Sequence, residues 1–521
     1  MGAEESEKMY RPRGSRWRKL IVLVVALNLE SYEYDVHSLV KSFFPEETVK
    51  VLTPSSKEET YRSVLEQAEI AEEKDIPLEI KIEENCAAIF LRKNIKESAK
   101  TMEGASEHHW QYTEEEGKFK DGFKRFLYRV LSSELKKELP WGNLTGIRPT
   151  KIAYGMLENG CTEEEIADFM SKSHYVSEEK IELSIDIAKR ERALLSDIHY
   201  EGGYSLYIGI PFCPTTCLYC SFTSYPIAGY RKMVEDYIDC LIKEMEYVAE
   251  AYQHKVLDTV YIGGGTPTTL EAKQLDRMIG KLNELFDFST VKEFTVEAGR
   301  ADSITREKLE VLKKHEVTRI SINPQTMKQE TLNIIGRRHT VEQVIEAYKL
   351  AREIGFDNIN MDLILGLPDE TEEDVAGTIE KVVELSPDSL TVHSLAIKRA
   401  SKLSQWITEH GVKTLRNTDK TMEIAAEGAI RLEMYPYYLY RQKNMSGNFE
   451  NVGYAKEGKY GLYNILIMEE KQTIVALGAG SITKRVFPDG RIERCDNVKE
   501  VALYIEKIDE MIDRKRRLLE E

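Results

Sequence analysis

A chain of 521 residues is too long for one compact core, so two or three domains are expected. Its 42% hydrophobic content is that of an ordinary globular protein, and a formal net charge of -17 argues against general nucleic-acid binding, which needs a basic face for phosphate. Seven cysteines, Cys86, Cys161, Cys213, Cys217, Cys220, Cys240 and Cys495, show no pairing pattern, which fits a reducing cytosol better than a disulfide framework.

The basic stretch Arg11–Lys19 runs into the apolar segment Leu20–Leu29 and imitates a signal peptide. The apolar part is too short to span a bilayer and lacks a small-residue cleavage site, and Val-rich runs of this length are often buried strands. It reads as the first strand of a cytoplasmic protein with no membrane span. Residues 1–135 are expected to form an α+β accessory domain, and 136–200 a helical connector rich in Glu, Lys and Ile. Within them, Thr113–Lys120 reads as a solvated turn or helix start. Arg148 and Lys151 could touch an anionic ligand, though surface cations usually contact only water.

From Ser205 onward, short apolar runs alternate with amphipathic helical stretches, the pattern of a parallel sheet with crossover helices. The strands are expected at Ser205–Phe212, Thr259–Ile262, Glu293–Val296, Arg319–Asn323, Asn358–Leu365 and Ser389–Leu395, which makes 201–400 a partial (β/α)6 TIM-like barrel. Polar and glycine-rich residues follow the strands, where such a barrel carries its site. The loop after the first strand reads Pro211-Phe212-Cys213-Pro214-Thr215-Thr216-Cys217-Leu218-Tyr219-Cys220. It offers three thiolates and no fourth, a soft donor set suited to an iron–sulfur cluster with one open iron. A partial zinc site and plain loop cysteines are the alternatives, but structural zinc wants a fourth ligand. Cys240 falls inside an expected helix Arg231–Tyr252, and His254 lies past its end.

The second strand is followed by Gly263-Gly264-Gly265-Thr266-Pro267-Thr268, a turn that leaves backbone open to close approach, or else a plain tight turn. Glu297, Gln325 and Asp362 interrupt apolar runs at later strand ends, and such buried polar groups either converge on a polar ligand or bond one another. Residues 401–521 are expected to add a C-terminal α+β extension that covers the substrate. There Tyr435-Pro436-Tyr437-Tyr438-Leu439-Tyr440-Arg441-Gln442-Lys443-Asn444 joins aromatics to cations, suited to a flat anionic ligand or equally to a sheet surface. Gly478-Ala479-Gly480-Ser481 reads as a turn that could help close the barrel mouth, and His393 as a substrate-facing or a structural histidine.

Together the cysteine loop, the Gly-Gly-Gly-Thr-Pro turn and Asp362-Leu363-Ile364-Leu365-Gly366-Leu367-Pro368 resemble a radical S-adenosylmethionine enzyme. More narrowly, Tyr207-x-x-Ile210-Pro211-Phe212-Cys213, Arg319-Ile320-Ser321-x-x-x-Gln325, Gly336-Arg337-Arg338-His339 and Pro140–Thr150 resemble the oxygen-independent coproporphyrinogen III oxidase family, in its coproporphyrinogen dehydrogenase branch. The resemblance implies a 4Fe–4S cluster on Cys213, Cys217 and Cys220 and one or two S-adenosylmethionine molecules. Electron transfer to S-adenosylmethionine would yield a 5′-deoxyadenosyl radical that abstracts hydrogen from a propionate side chain of coproporphyrinogen III, and loss of carbon dioxide would leave a vinyl group; two propionates converted in this way give protoporphyrinogen IX. The cofactors carry that chemistry and the protein positions them. Tyr207, a catalytic candidate beside the cysteines, would hold the first molecule with Gly264, Gly265, Thr266 and Glu297. Tyr219, Gln325, Arg337, Asp362 and Ser394 match positions for the second. A donor such as flavodoxin or ferredoxin is implied.

Three departures stand against that pattern. Gly209 replaces a histidine, Ser221-Phe222 follows Cys220 where catalytic members can carry a further cysteine, and Glu297-Ala298-Gly299-Arg300 lacks the family's proline. The second of these is shared with relatives that carry haem. The functional classes are therefore a tetrapyrrole decarboxylase, a haem-binding carrier, and another radical enzyme such as a methyltransferase or haem-ring opener.

Overall fold

The computed structural model describes residues 22–45, 47–72, 75–92, 105–398, 401–410, 415–442 and 449–520. The chain divides into two compact units, residues 1–137 with 407–412, and 138–406 with 413–521.

The first unit holds strands β1 (Val22–Leu27), β2 (Thr48–Leu52), β3 (Leu78–Ile82), β4 (Cys86–Leu91) and β5 (Ser106–Gln111) in the order β2-β1-β3-β4-β5. Helices Glu33–Phe43, Glu58–Gln67 and Phe119–Leu135 accompany the sheet. The apolar run beginning at Leu20 supplies β1, which pairs in parallel with β2 and β3 and buries Leu23, Val24, Val25 and Leu27. A strand between two neighbours and covered on both faces needs a continuous apolar run. The basic stretch Arg11–Lys19 lies outside the described residues.

The second unit opens with helices Thr150–Glu158, Glu163–His174 and Glu178–Leu194. Then come β6 (Gly203–Ile210), β7 (Phe212–Cys213), β8 (Tyr225–Pro226), β9 (Val256–Gly264), β10 (Glu293–Gly299), β11 (Arg319–Ile322), β12 (Ile359–Leu365) and β13 (Ser389–Ser394). The expected six strands are β6 and β9 to β13, and they lie side by side in chain order, all parallel. The later strands β14 (Tyr435–Tyr440), β15 (Asn451–Ala455), β16 (Thr473–Leu477), β17 (Ile482–Val486) and β18 (Ile492–Asp496) continue the same sheet. β15 and β14 extend it antiparallel beside β13, and β16 adds a parallel strand beside β6. The C-terminal stretch thus widens the barrel sheet at both edges instead of forming a sheet of its own.

Alternation along the strands separates two faces. Leu206, Ile208, Ile210, Val260, Ile262, Val296, Ile320 and Ile322 are fully buried on the outer face, each contributing about 1.5–3 kcal/mol of hydrophobic stabilisation. The inner face is polar. Thr259 Oγ1 donates to Ser205 Oγ at 2.8 Å, and Ser389 Oγ and Thr391 Oγ1 both donate to Asn360 Oδ1, at 3.1 and 3.2 Å. Buried hydroxyls and amides satisfied by one another make the closed end of the barrel a hydrogen-bonded core. Above it the rings of Tyr207, Tyr261 and Tyr463 stack, with centroids 4.5 Å apart for Tyr261 and Tyr463.

Candidate functional site

At the carboxyl ends of these strands opens a cavity with an empty volume of about 1120 Å³, counted out to its mouth. Cys213, Cys217, Tyr219, Cys220, Gly264, Gly265, Thr266, Glu297, Gln325, Arg337, Asp362 and Ser394 all lie on its wall. Tyr207 stands one step behind that wall, its hydroxyl against Gly264.

The cysteine loop is fixed by its neighbours. Gly265 N donates to Ile210 O at 2.8 Å and Thr266 N to Phe212 O at 2.7 Å, which sews the glycine turn onto the end of β6. A side chain at Gly265 would begin 2.6 Å from Phe212 O, so this approach requires glycine. On the far side Leu218 N donates to Ile335 O at 3.0 Å. Among the described cysteines all seven are free thiols. Cys213 Sγ lies 3.5 Å from Thr266 Oγ1, Cys220 Sγ 3.8 Å from Ser224 Oγ, and Arg300 Nη1 donates to Cys217 Sγ at 3.8 Å. Burial pushes the Cys213 thiol up to about 11 and raises that of Cys220.

Among the described residues, no three His, Cys, Asp or Glu side chains are gathered closely enough to grip one metal ion. That is compatible with a cubane, because three thiolates on a 4Fe–4S cluster each bind a different iron and stand farther apart than the ligands of a single ion. Three free thiols on one wall of one cavity, each within reach of a hydroxyl or guanidinium donor, fit such a cluster.

Glu297 opens on the cavity but is otherwise crowded by protein. Burial, opposed by the hydroxyl of Tyr261 donating to Oε1 at 2.5 Å, raises its carboxyl to about 7. On the opposite wall, Gln325 takes a left-handed backbone with φ 69° so that its N–H donates to Asp362 O at 2.9 Å and its carbonyl accepts from Ile364 N at 2.9 Å. Arg337 Nη2 donates to Tyr219 Oη at 3.1 Å and Nη1 to Asn323 O. Three buried polar atoms here, Gln325 Oε1, Asn323 Oδ1 and Arg337 Nε, have no hydrogen-bond partner among the described residues. Buried valences left open next to a cavity are positions for a ligand. Asp362 Oδ1 accepts from Asn360 Nδ2 at 2.7 Å, and its Oδ2 is 4.0 Å from His393 Nε2.

Other expected residues turn out to be occupied. Ser394 reaches the wall, yet its hydroxyl donates to Glu450 O at 2.8 Å and accepts from Asn417 Nδ2 at 2.9 Å. Arg148 pairs with Glu469. Gly478 N is held by Glu244 Oε2 at 2.8 Å, a packed turn away from the cavity wall. Of the run Tyr435–Asn444, Tyr437 and Tyr438 are buried, Tyr440 and Gln442 reach the cavity, and Lys443 and Asn444 lie outside the described residues. His393 reaches the wall as well, 3.3 Å from the hydroxyl of Tyr440.

The structure adds residues that motif reading missed as site residues: Phe222, Arg300, Asn323, Lys398 and Asn451. Phe222 is 76% exposed at the rim, an unusual place for a large apolar ring. Lys398 has no carboxylate partner among the described residues, and burial lowers its ammonium pKa. An isolated cation after a strand carries no motif. Arg300 was visible only as the residue standing where a proline is usual.

Residues 207–382 match the family model of the radical SAM superfamily. The oxygen-independent coproporphyrinogen-III oxidase-like protein HemZ of Bacillus subtilis is 40% identical over 430 residues, covering 80% of this chain and 86% of that protein. The heme chaperone HemW of Lactococcus lactis is 32% identical over 53% of this chain and 68% of its own. Among solved structures, coproporphyrinogen III oxidase (HemN) from Escherichia coli aligns with a TM-score of 0.48 at 23% identity, covering 62% of this chain and 73% of that one. With the three cysteines gathered at the mouth of a parallel barrel and a relative matched over most of its length, the chain belongs to the radical SAM superfamily, among the oxygen-independent coproporphyrinogen III oxidase-like proteins.

Proposed function

We propose that this protein is a cytoplasmic oxidoreductase that converts propionate side chains of coproporphyrinogen III to vinyl groups without oxygen, giving protoporphyrinogen IX. The observation that carries the reading is the meeting of three free thiols, open polar valences and an unpaired ammonium in one cavity at the barrel mouth. When bound, a 4Fe–4S cluster and S-adenosylmethionine supply an electron and a hydrogen-abstracting radical.

The chain's own residues position the reactants. Cys213, Cys217 and Cys220 hold the cluster. Gly264, Gly265 and Thr266 offer backbone to the first S-adenosylmethionine, with Tyr207 behind them, and Glu297 receives its ammonium, a contact that would draw the carboxyl down from about 7 into its charged form. Tyr219, Gln325, Arg337 and Asp362 offer donors and acceptors to a second molecule, Arg337 facing its carboxylate. Ser394 contributes packing there. At the rim, Phe222, Tyr440 and His393 face the tetrapyrrole, and Lys398 gains the counter-charge it lacks from a propionate. Each vinyl would use one S-adenosylmethionine and one electron from a flavodoxin or ferredoxin, and the electron left on the substrate when carbon dioxide departs would pass to a one-electron acceptor.

Anaerobic reconstitution with iron, sulfide, a reductant, S-adenosylmethionine and coproporphyrinogen III tests the reading. It predicts 5′-deoxyadenosine in step with carbon dioxide and new vinyl groups; S-adenosylhomocysteine in their place would indicate methyl transfer. A second reading, a haem carrier on the same scaffold, is favoured by Ser221-Phe222 in place of a further cysteine and by the exposed ring of Phe222. Haem binding with no substrate-linked cleavage of S-adenosylmethionine would establish it instead.

A further inference from the structure

Arg300 is only 2% exposed, and all three of its guanidinium nitrogens are engaged. Nε and Nη2 grip Asp302 through both carboxylate oxygens, at 2.9 and 2.7 Å. Nη1 points the other way, donating to Thr215 O at 3.1 Å and Thr215 Oγ1 at 2.7 Å inside the cysteine loop, and reaching Cys217 Sγ at 3.8 Å. Thr215 Oγ1 passes the bond on to Gly336 O at 2.9 Å. His339, fully buried, sets its Nδ1 3.6 Å from Asp302 Oδ1, just beyond hydrogen-bond length. Burial alone would raise the Asp302 carboxyl, but the imidazole and guanidinium beside it hold it well below the usual carboxylate range. A planar fork held along one edge cannot swing, so Nη1 stays at the cysteine loop, bonded to Thr215 and 3.8 Å from the Cys217 sulfur.

From this geometry we infer that Arg300 is a positioning residue for the three-thiolate site, clamping the cysteine loop and raising the reduction potential of the cluster bound there by directing a cationic N–H at the Cys217 thiolate. Hydrogen bonds and positive charge at a ligating sulfur withdraw electron density from the iron it binds and stabilise the reduced, more negative cluster. Asp302 works in the opposite sense, as the counter-anion that partly masks the guanidinium. The inference rests on the reading that Cys213, Cys217 and Cys220 hold a cluster.

The test is potentiometric titration of the anaerobically reconstituted full chain, without S-adenosylmethionine, followed by electron paramagnetic resonance of the reduced cluster and by iron and sulfide content. Arg300→Met should move the midpoint to more negative potential, Arg300→Lys should move it less, and Asp302→Asn should move it the other way by unmasking the cation. A purely structural role would not give shifts of opposite sign. Midpoints equal to wild type in Arg300→Lys, Arg300→Met and Asp302→Asn, or Arg300→Met and Asp302→Asn shifts of the same sign, overturn the inference and leave the cluster assignment standing. If Arg300→Met takes up little iron, Arg300→Lys and Asp302→Asn still decide it. A wild-type chain that binds no iron and sulfide overturns the cluster assignment itself, and this inference with it.

Discussion

Strand β10 carries two glutamates four residues apart on one face, and they end in opposite conditions. Glu293, at the closed end of the barrel, is buried and accepts from Thr295 Oγ1 at 2.8 Å and from Leu462 N, and burial raises its carboxyl while the Arg319 cation and these bonds oppose the rise. Glu297, at the mouth, has the Tyr261 hydroxyl and an open cavity. The same contrast runs around the sheet. At the closed end Ser389 and Thr391 donate to Asn360 and Arg319 Nη2 donates to Ser389, with Arg319 Nε left over, whereas at the mouth Gln325, Asn323 and Arg337 each keep an unpaired atom facing the cavity. A buried polar network is worth most when finished and costs most when not. The barrel therefore stores its stability at one end and its binding capacity at the other, the division expected of parallel barrels.

Substitutions can break this contrast from either end. The largest effect is expected at the mouth: Cys217→Ala should abolish cluster assembly, read as loss of visible absorbance and bound iron, while the thermal transition of the ligand-free chain stays close to wild type. At the closed end Arg319→Met should do the reverse. It removes the cation that acts on buried Glu293 and the donor to Ser389 Oγ, a loss of about 3 kcal/mol in a urea melt, and Glu293→Gln in the same chain should recover part of it. A change in stability as small as that of a surface substitution would show that the closed end is not the stabilising one. Next in size, Lys398→Glu should weaken coproporphyrin III binding about tenfold, equivalent to about 1.4 kcal/mol, with S-adenosylmethionine affinity retained. Equal porphyrin affinity in both chains would remove Lys398 from the substrate site.

The two ends also differ in what could be read beforehand. The six parallel strands and the cysteines were legible because each is local: alternation or spacing within about ten residues. The polar inner face was not, since Ser205, Thr259 and Asn360 look like ordinary interruptions until strand register brings them together. Nor was the ring stack, where Tyr463 arrives from a helix far along the chain to meet Tyr207 and Tyr261. The parallel pairing of β16 with β6 joins residues more than 250 positions apart. Arg300 shows the limit most plainly, because its meaning lies in Thr215 and Cys217, 85 and 83 residues away. Local pattern reports which groups are available, whereas their pairing depends on long-range topology.

The smallest effect offers the finest test of the contrast, through pH. Burial holds the Glu297 carboxyl near 7 in the folded chain, against an ordinary value of 4.5. Between those values the folded state retains a proton that the unfolded state has released, so this residue's contribution to stability is present in full below pH 4.5 and is lost as pH rises through 7. The full shift corresponds to about 3 kcal/mol, and the opening to solvent at the cavity reduces it to about 1–2 kcal/mol. Urea melts of the ligand-free chain at pH 5 and pH 7.5 should therefore differ more in wild type than in Glu297→Gln. S-adenosylmethionine should flatten the wild-type dependence, because its ammonium supplies the charge that the mouth lacks and lets Glu297 ionise without penalty. At the closed end Glu293 does not line the cavity, so the ligand should leave its environment unchanged. A wild-type slope matched by Glu297→Gln would mean that the carboxylate at the mouth does not carry the pH dependence, and the division between the two ends of β10 would fail at the position where it is sharpest.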